Sequence, residues 1–156
     1  MSQRPEYASQ HTTEHILNAV MQRDFGASRS TEVHFGTKKT KCDYRVQRPL
    51  TDDDLRRIER AVNAAIQADL PVETFEVPRA EADRRFDMGK VPDAAETIRI
   101  VRIGDLDVIP CVGAHVMHTS QIGRFAIRSA EMRDEHTLRI RFALILRGEG
   151  SGTRGK

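Results

Sequence analysis

The chain has 156 residues, of which 38% are hydrophobic and 31% charged, and it carries a formal net charge of +2. That length suits one domain with a real core. No run approaches the roughly 20 apolar residues of a membrane span, and the nearly balanced charge excludes recognition of nucleic acid by bulk charge alone. Arginine far outnumbers lysine, which would suit bidentate contacts to phosphate but equally fits a compositional bias. The opening MSQRPEYASQ lacks the apolar centre of a signal peptide. Two cysteines, Cys42 and Cys111, make no disulfide framework, so a cytoplasmic protein with reduced or metal-bound thiols is expected.

Residues 7–24 are predicted to form the first helix. Ser9 is its candidate cap and Gly26 its stop, and Ile16, Leu17, Val20 and Met21 recur at helical spacing as a buried stripe. Short extended stretches at 32–35 and 42–46 flank a basic loop over 36–41. Thr51, with Asp54 three residues on, opens a second helix as a capping box with Asp in the usual Glu place. Its apolar stripe of Leu55, Ile58, Val62, Ala65 and Ile66 marks it as scaffold. Residues 72–77 alternate as a strand, and 79–86 form a short helix. Hairpins follow at 97–103 with 106–109, turning at Gly104-Asp105, and at 124–130 with 137–146, turning near Asp134. The expectation is an α+β fold: a single domain over 1–147, an antiparallel sheet with helices packed on it, and a disordered Gly-, Ser- and Arg-rich tail over 148–156.

Two stretches carry the chemistry. His11-Thr12-Thr13-Glu14-His15 and Cys111-Val112-Gly113-Ala114-His115 each hold two metal-competent side chains at i and i+4, a spacing that on a helix puts both on one face. Three imidazoles and one thiolate make a tetrahedral set suited to zinc. A lone His-x-x-x-His is weak evidence, but the two pairs together in a chain with six His and two Cys point to a shared ion.

These motifs, HTTEHIL and IGDLDVIPCVGAHVMHTSQIG, resemble the editing domain of alanyl-tRNA synthetase, its free-standing relatives, and the second domain of threonyl-tRNA synthetase. The resemblance runs from about Tyr7 to about Leu146. It implies a zinc site of His11, His15, Cys111 and His115, and hydrolysis of the ester joining a wrong amino acid to the 3′ aminoacyl end of a mischarged tRNA. At this length there is no room for an aminoacylation domain, so a free-standing, minimal editing protein is expected. A small amino acid such as serine on alanine tRNA is the substrate expectation. The chain departs from the family at Val112 and Ala114, where Gly and Thr are usual, and the hydroxyl lost at Ala114 bears on which amino acid is recognised.

Further candidates surround the ligands. Glu14 is placed like the general base of His-x-x-Glu-His peptidases, and Asp43 sits where relatives often have an Asp closing a strand; both are candidate catalytic groups. Thr12 and Thr13 could hydrogen-bond a substrate hydroxyl. His34, His118 and Thr119 are pocket candidates, and Lys41 could meet tRNA phosphates. Cys42 reads better as a small buried side chain than as a ligand. A non-catalytic zinc-stabilised domain that binds tRNA or a small amino acid is the alternative. A small peptidase fits poorly, because it needs a downstream Glu and leaves Cys111 and His115 without a role.

Overall fold

The computed structural model describes residues 4–89, 91 and 95–146, and the expected tail at 148–156 lies outside them. In chain order the elements are α1 (Ala8–Phe25), β1 (Glu32–His34), β2 (Thr40–Arg45), α2 (Asp52–Gln67), β3 (Val72–Pro78), α3 (Arg79–Arg85), β4 (Thr97–Ile103), β5 (Asp107–Pro110), β6 (Arg124–Met132) and β7 (Thr137–Ile145). The fold is α+β, as expected. In place of one sheet there are two, a four-stranded sheet in the order β1-β2-β7-β6 and a three-stranded sheet in the order β3-β4-β5.

Every strand pair is antiparallel. Among the described residues four of the five pairings join consecutive strands, three of them as hairpins and β3–β4 across α3. The pairing of β2 with β7 is the long-range one, with Cys42 opposite Ile140 and Asp43 opposite Arg139. It brings the early basic hairpin against the end of the chain. The turn between β6 and β7 forms around Asp134, whose Oδ1 accepts from the N–H groups of His136 and Thr137, each at 2.8 Å. Gly104, with φ 48°, opens the turn from β4 to β5 in a backbone region that suits glycine.

The α2 prediction holds in detail. Thr51 Oγ1 accepts from the Asp54 N–H at 3.0 Å, and Asp54 Oδ2 accepts from the Thr51 N–H at 2.9 Å. Asp54, Ile58, Val62 and Ile66, four apart, are its buried residues. At α1 the details differ. A 3-10 turn over Pro5–Tyr7 leads straight into the helix, so Ser9 lies inside α1 and Tyr7 stands at the cap position without a side-chain bond. Gly26 ends the helix as expected, at φ 61° with its N–H on the Met21 carbonyl.

The larger difference is burial. The sequence pattern predicts one apolar stripe on α1, yet every residue from His11 to Met21 is buried. The helix packs on α2, on β5 and on a second 3-10 turn over Thr119–Ile122, so its flanks are covered as well as its core face. Ile16, Leu17, Val20 and Met21 enter one core with Cys42 and Tyr44 of β2, Ile58 and Val62 of α2, and Ile140 and Phe142 of β7. The polar residues on the remaining faces of α1 are buried with them, and each then needs a partner.

Candidate metal centre

The partners are mostly one another. His11, His15, Cys111 and His115 each offer one donor atom, and the four atoms lie within 4.8 Å of one another. Cys111 Sγ is 3.4 Å from His11 Nε2 and 3.5 Å from His115 Nε2. With bonds of about 2.0–2.1 Å to nitrogen and about 2.3 Å to sulfur, the S···N edge of a tetrahedron is about 3.5 Å. The donor set and its spacing therefore fit a zinc ion.

Two different structures deliver the two pairs. His11 and His15 stand one turn apart on α1, as the spacing predicts. Cys111 and His115 do not lie on a helix: the segment from Cys111 to Val116 is irregular backbone that leaves β5 at Pro110. Arg99 of β4 holds this loop. Its Nη1 donates to the carbonyls of Cys111 at 2.8 Å and Gly113 at 2.9 Å, and its carbonyl accepts from the Cys111 N–H at 3.0 Å.

The electrostatics suit a thiolate. Burial on its own raises the Cys111 thiol, but hydrogen bonds from His11, His115 and His15 outweigh it and bring its pKa down to about 3. Burial lowers His115 to about 4, a loss that its hydrogen bond to Cys111 only partly offsets. For His15, burial acts downward, and contacts with Asp107, Cys111 and the Glu14 charge overcome it and lift the pKa to about 9. In the second cysteine, burial pushes the thiol well above its ordinary value. Cys42 is therefore a protonated core side chain, not a ligand.

Around the ligands the structure brings together residues that the sequence reading named and some that it missed. Thr12 Oγ1 lies 2.9 Å from His115 Nδ1 and accepts from the Val116 N–H at 3.1 Å, so this hydroxyl serves the ligand loop. Glu14 is fully enclosed. Its Oε2 accepts from Asn18 Nδ2 at 2.7 Å and Ser30 Oγ at 2.6 Å, and Tyr44 Oη and the Ser30 N–H in turn donate to Asn18 Oδ1. The other oxygen, Oε1, has no hydrogen bond and lies 3.8 Å from His15 Nε2. Among the missed residues, Asn18 had a legible signal, since it falls seven residues after His11 on the same helical face. Asp107 had a weaker one, a carboxylate inside an otherwise apolar strand. Arg29, Ser30 and Arg99 had none.

Other candidates lie away from the cluster or are committed elsewhere. Thr13 donates to the Ser9 carbonyl at 2.7 Å, one turn back in its own helix. Thr119 donates to the Ala65 carbonyl and accepts from the Leu70 N–H, each at 2.8 Å, closing the C-terminal end of α2. Asp43 takes a two-point bond from Arg139, at 2.8 and 3.0 Å, on the strand face opposite its core neighbours Cys42 and Tyr44. His118 is exposed, with Nδ1 3.7 Å from Asp69 Oδ1. His34, also exposed, pairs in register with Lys41 across the β1–β2 hairpin.

A small α+β domain with a largely buried cluster of three histidines and one cysteine that could hold a metal ion is the class that fold and site define. Residues 98–154 match the family described as the threonyl and alanyl tRNA synthetase second additional domain. The chain is 33% identical to an alanine–tRNA ligase of Methanothrix thermoacetophila over 154 residues, covering 92% of this chain and 16% of the ligase. Over 136 residues it is 29% identical to the alanine–tRNA ligase of Treponema denticola, covering 86% of this chain and 23% of that enzyme. The ligase of Methanopyrus kandleri is 33% identical over 139 residues, with 85% of this chain and 15% of the ligase covered. The matched segment and these relatives support a family like the threonyl and alanyl tRNA synthetase second additional domain, and the chain spans less than a quarter of the length of these relatives. No helix among the described residues is long and apolar enough to cross a membrane.

Proposed function

We propose that the chain is a zinc-dependent hydrolase that deacylates mischarged tRNA in trans, releasing a small amino acid such as serine from alanine tRNA in the cytoplasm. The observation that carries this reading is the convergence of His11, His15, Cys111 and His115 from two separate elements onto one point. Zinc held there would supply Lewis acidity toward an ester carbonyl or a water. An aminoacyl ester is already activated, so the protein's own task is to position it and to hold a proton.

Glu14 is the residue best placed for the proton. Its Oε2 is fixed by Asn18 and Ser30, which leaves Oε1 beside His15 as its free acceptor. Asp43 is bound to Arg139 and is left with a structural role in this reading. Thr12 and Thr13 spend their hydroxyls on His115 and Ser9, so recognition of a serine hydroxyl falls to other groups at the rim. That rim includes Val112, 55% exposed, beside Ala114. His34 and Lys41 stand where one hairpin could meet tRNA phosphates.

One observation favours the alternative of a non-catalytic zinc-stabilised domain that binds tRNA or a small amino acid. Four protein ligands are the pattern of structural zinc, whereas catalytic sites keep a position open. Both readings are tested by incubating the purified protein with labelled aminoacyl-tRNAs, with and without chelator. The panel is serine, glycine and alanine on alanine tRNA, and serine on threonine tRNA. Selective, chelator-sensitive release of serine from alanine tRNA is the expected result. Zinc-loaded, folded protein that releases none of them would favour the binding domain.

A further inference from the structure

His15 is the one ligand with a charged chain of contacts behind it. Its Nδ1 faces Asp107, 3.3 Å from Oδ2 in an ion-pair contact, so Nε2 on the other side of the ring is the atom free for a metal. Asp107 is buried on β5, and Arg29, from the segment between α1 and β1, grips it at both oxygens, 2.8 Å to Oδ1 and 3.1 Å to Oδ2. Three parts of the chain thus meet behind one imidazole. A buried carboxylate is costly unless it is paired, and the two-point guanidinium contact fixes the plane of the Asp107 carboxylate as well as its charge.

We infer that Asp107, held by Arg29, is a positioning residue that sets the ring orientation of His15 and its strength as a metal donor. The inference rests on the reading of the four-residue cluster as a zinc site. A carboxylate behind a ligating histidine fixes the tautomer and raises the donor's basicity, and losing such a partner costs about 10- to 100-fold in metal affinity. The same arrangement makes His15 answer to the segment that carries Arg29, since a shift of that segment moves the carboxylate. Arg29 also neighbours Ser30, which holds Glu14. One short stretch thereby supports both residues, adjacent in sequence, that sit on the inner face of the site.

The test is zinc affinity, measured by competition with a chromophoric chelator on the full chain. Asp107→Asn keeps the shape and removes the charge. Arg29→Gln changes a partly exposed residue, so it tests the inference even if the buried substitution fails to fold. Thermal unfolding of each metal-free variant is recorded alongside, and cobalt(II) is substituted for zinc to read ligand geometry from its visible spectrum. Expected results are a loss of zinc affinity of about 10- to 100-fold for Asp107→Asn, a smaller loss for Arg29→Gln, and an altered cobalt spectrum in both. The double variant should lose less than the two single losses combined, because the residues act in series. If both variants bind zinc as tightly as the parent, with the parent's cobalt spectrum, Asp107 is structural only and the inference falls while the zinc reading stands. If the folded parent itself binds no zinc, both fall together.

Discussion

The two halves of the candidate metal centre use the same sequence spacing in opposite ways. His11 and His15 ride on a helix whose middle is buried on every side, whereas Cys111 and His115 come from irregular backbone with Val112 55% and Met117 72% exposed at its surface. On the helix, position follows from geometry: a turn of α1 sets the two imidazoles and the core sets the turn. In the loop, nothing intrinsic to the backbone fixes Cys111 against His115. Position comes from Arg99 on the carbonyls, Thr12 on His115 and the strand that ends at Pro110. One half therefore belongs to the core, and the other comes from a loop that borders the surface.

Breaking one ligand in each half should expose this difference. His11→Ala and Cys111→Ala are both expected to abolish stoichiometric zinc binding, read by dialysis and elemental analysis, together with any chelator-sensitive hydrolysis. Their effects on the metal-free protein should diverge. His11 is enclosed and packs its ring against Phe35 at 5.2 Å, so its truncation leaves a cavity costing roughly 2–3 kcal/mol. Cys111→Ala removes the sulfur that His11 and His115 approach, and should cost the metal-free protein less than His11→Ala, since it leaves a smaller cavity. Glu14→Ala sharpens the same contrast. It strands Asn18 and Ser30 inside the core and should cost about 2–3 kcal/mol of stability by denaturant unfolding.

The helix half was the more legible half in the sequence. A 3.6-residue period placed His11 and His15 correctly, and Gly26 and the Thr51–Asp54 box marked two helix ends. The period could not show that Thr12, Thr13, Glu14 and Asn18 would also be buried, because that depends on how β5 and the turn at Thr119–Ile122 cover the flanks. For the Cys111–His115 pair the helical argument does not apply, since the backbone there is not helical, and the resemblance alone carries it. Arg29 and Asp107 were invisible because the pair joins residues 78 apart, through packing that no local pattern encodes. Splitting of the strands into two sheets was hidden likewise, being set by the long-range β2–β7 pairing. Thr119 looks like a site residue by its place after the Cys-x-x-x-His motif and Asp43 by resemblance, yet each makes contacts that only tertiary structure supplies.

Asp43 offers a control outside both halves. Hydrogen bonds from Arg139 hold its carboxyl below the ordinary carboxylate range. A depressed folded-state pKa contributes stability that is complete above the unfolded value near 3.8 and is lost as pH falls through the folded value. Asp43→Asn is therefore expected to cost about 1–2 kcal/mol at neutral pH. The gap from the parent should narrow below about pH 4 in acid-unfolding curves. Zinc affinity and hydrolysis should not change. A loss of hydrolysis by a folded, zinc-loaded Asp43→Asn protein would return this residue to the catalytic machinery.

The smallest effect on stability, and the most informative for function, belongs to the exposed rim. Val112 projects into solvent from the ligand loop, so Val112→Gly should change stability by about 0.5 kcal/mol or less. Its neighbour Ala114 is half-buried, and Ala114→Thr adds one hydroxyl next to His115. Neither substitution touches a donor atom, so zinc affinity should hold. What should move is selectivity, because a site that offers a hydroxyl partner discriminates for a polar substrate far more strongly than one that merely has room for it. Ala114→Thr is expected to raise the ratio of serine to alanine released from alanine tRNA, with Val112→Gly altering the rate on both. If the ratio stays fixed in a folded, zinc-loaded Ala114→Thr protein, the amino acid is read from the helix side. The loop half would then serve to carry the metal and not to choose the substrate.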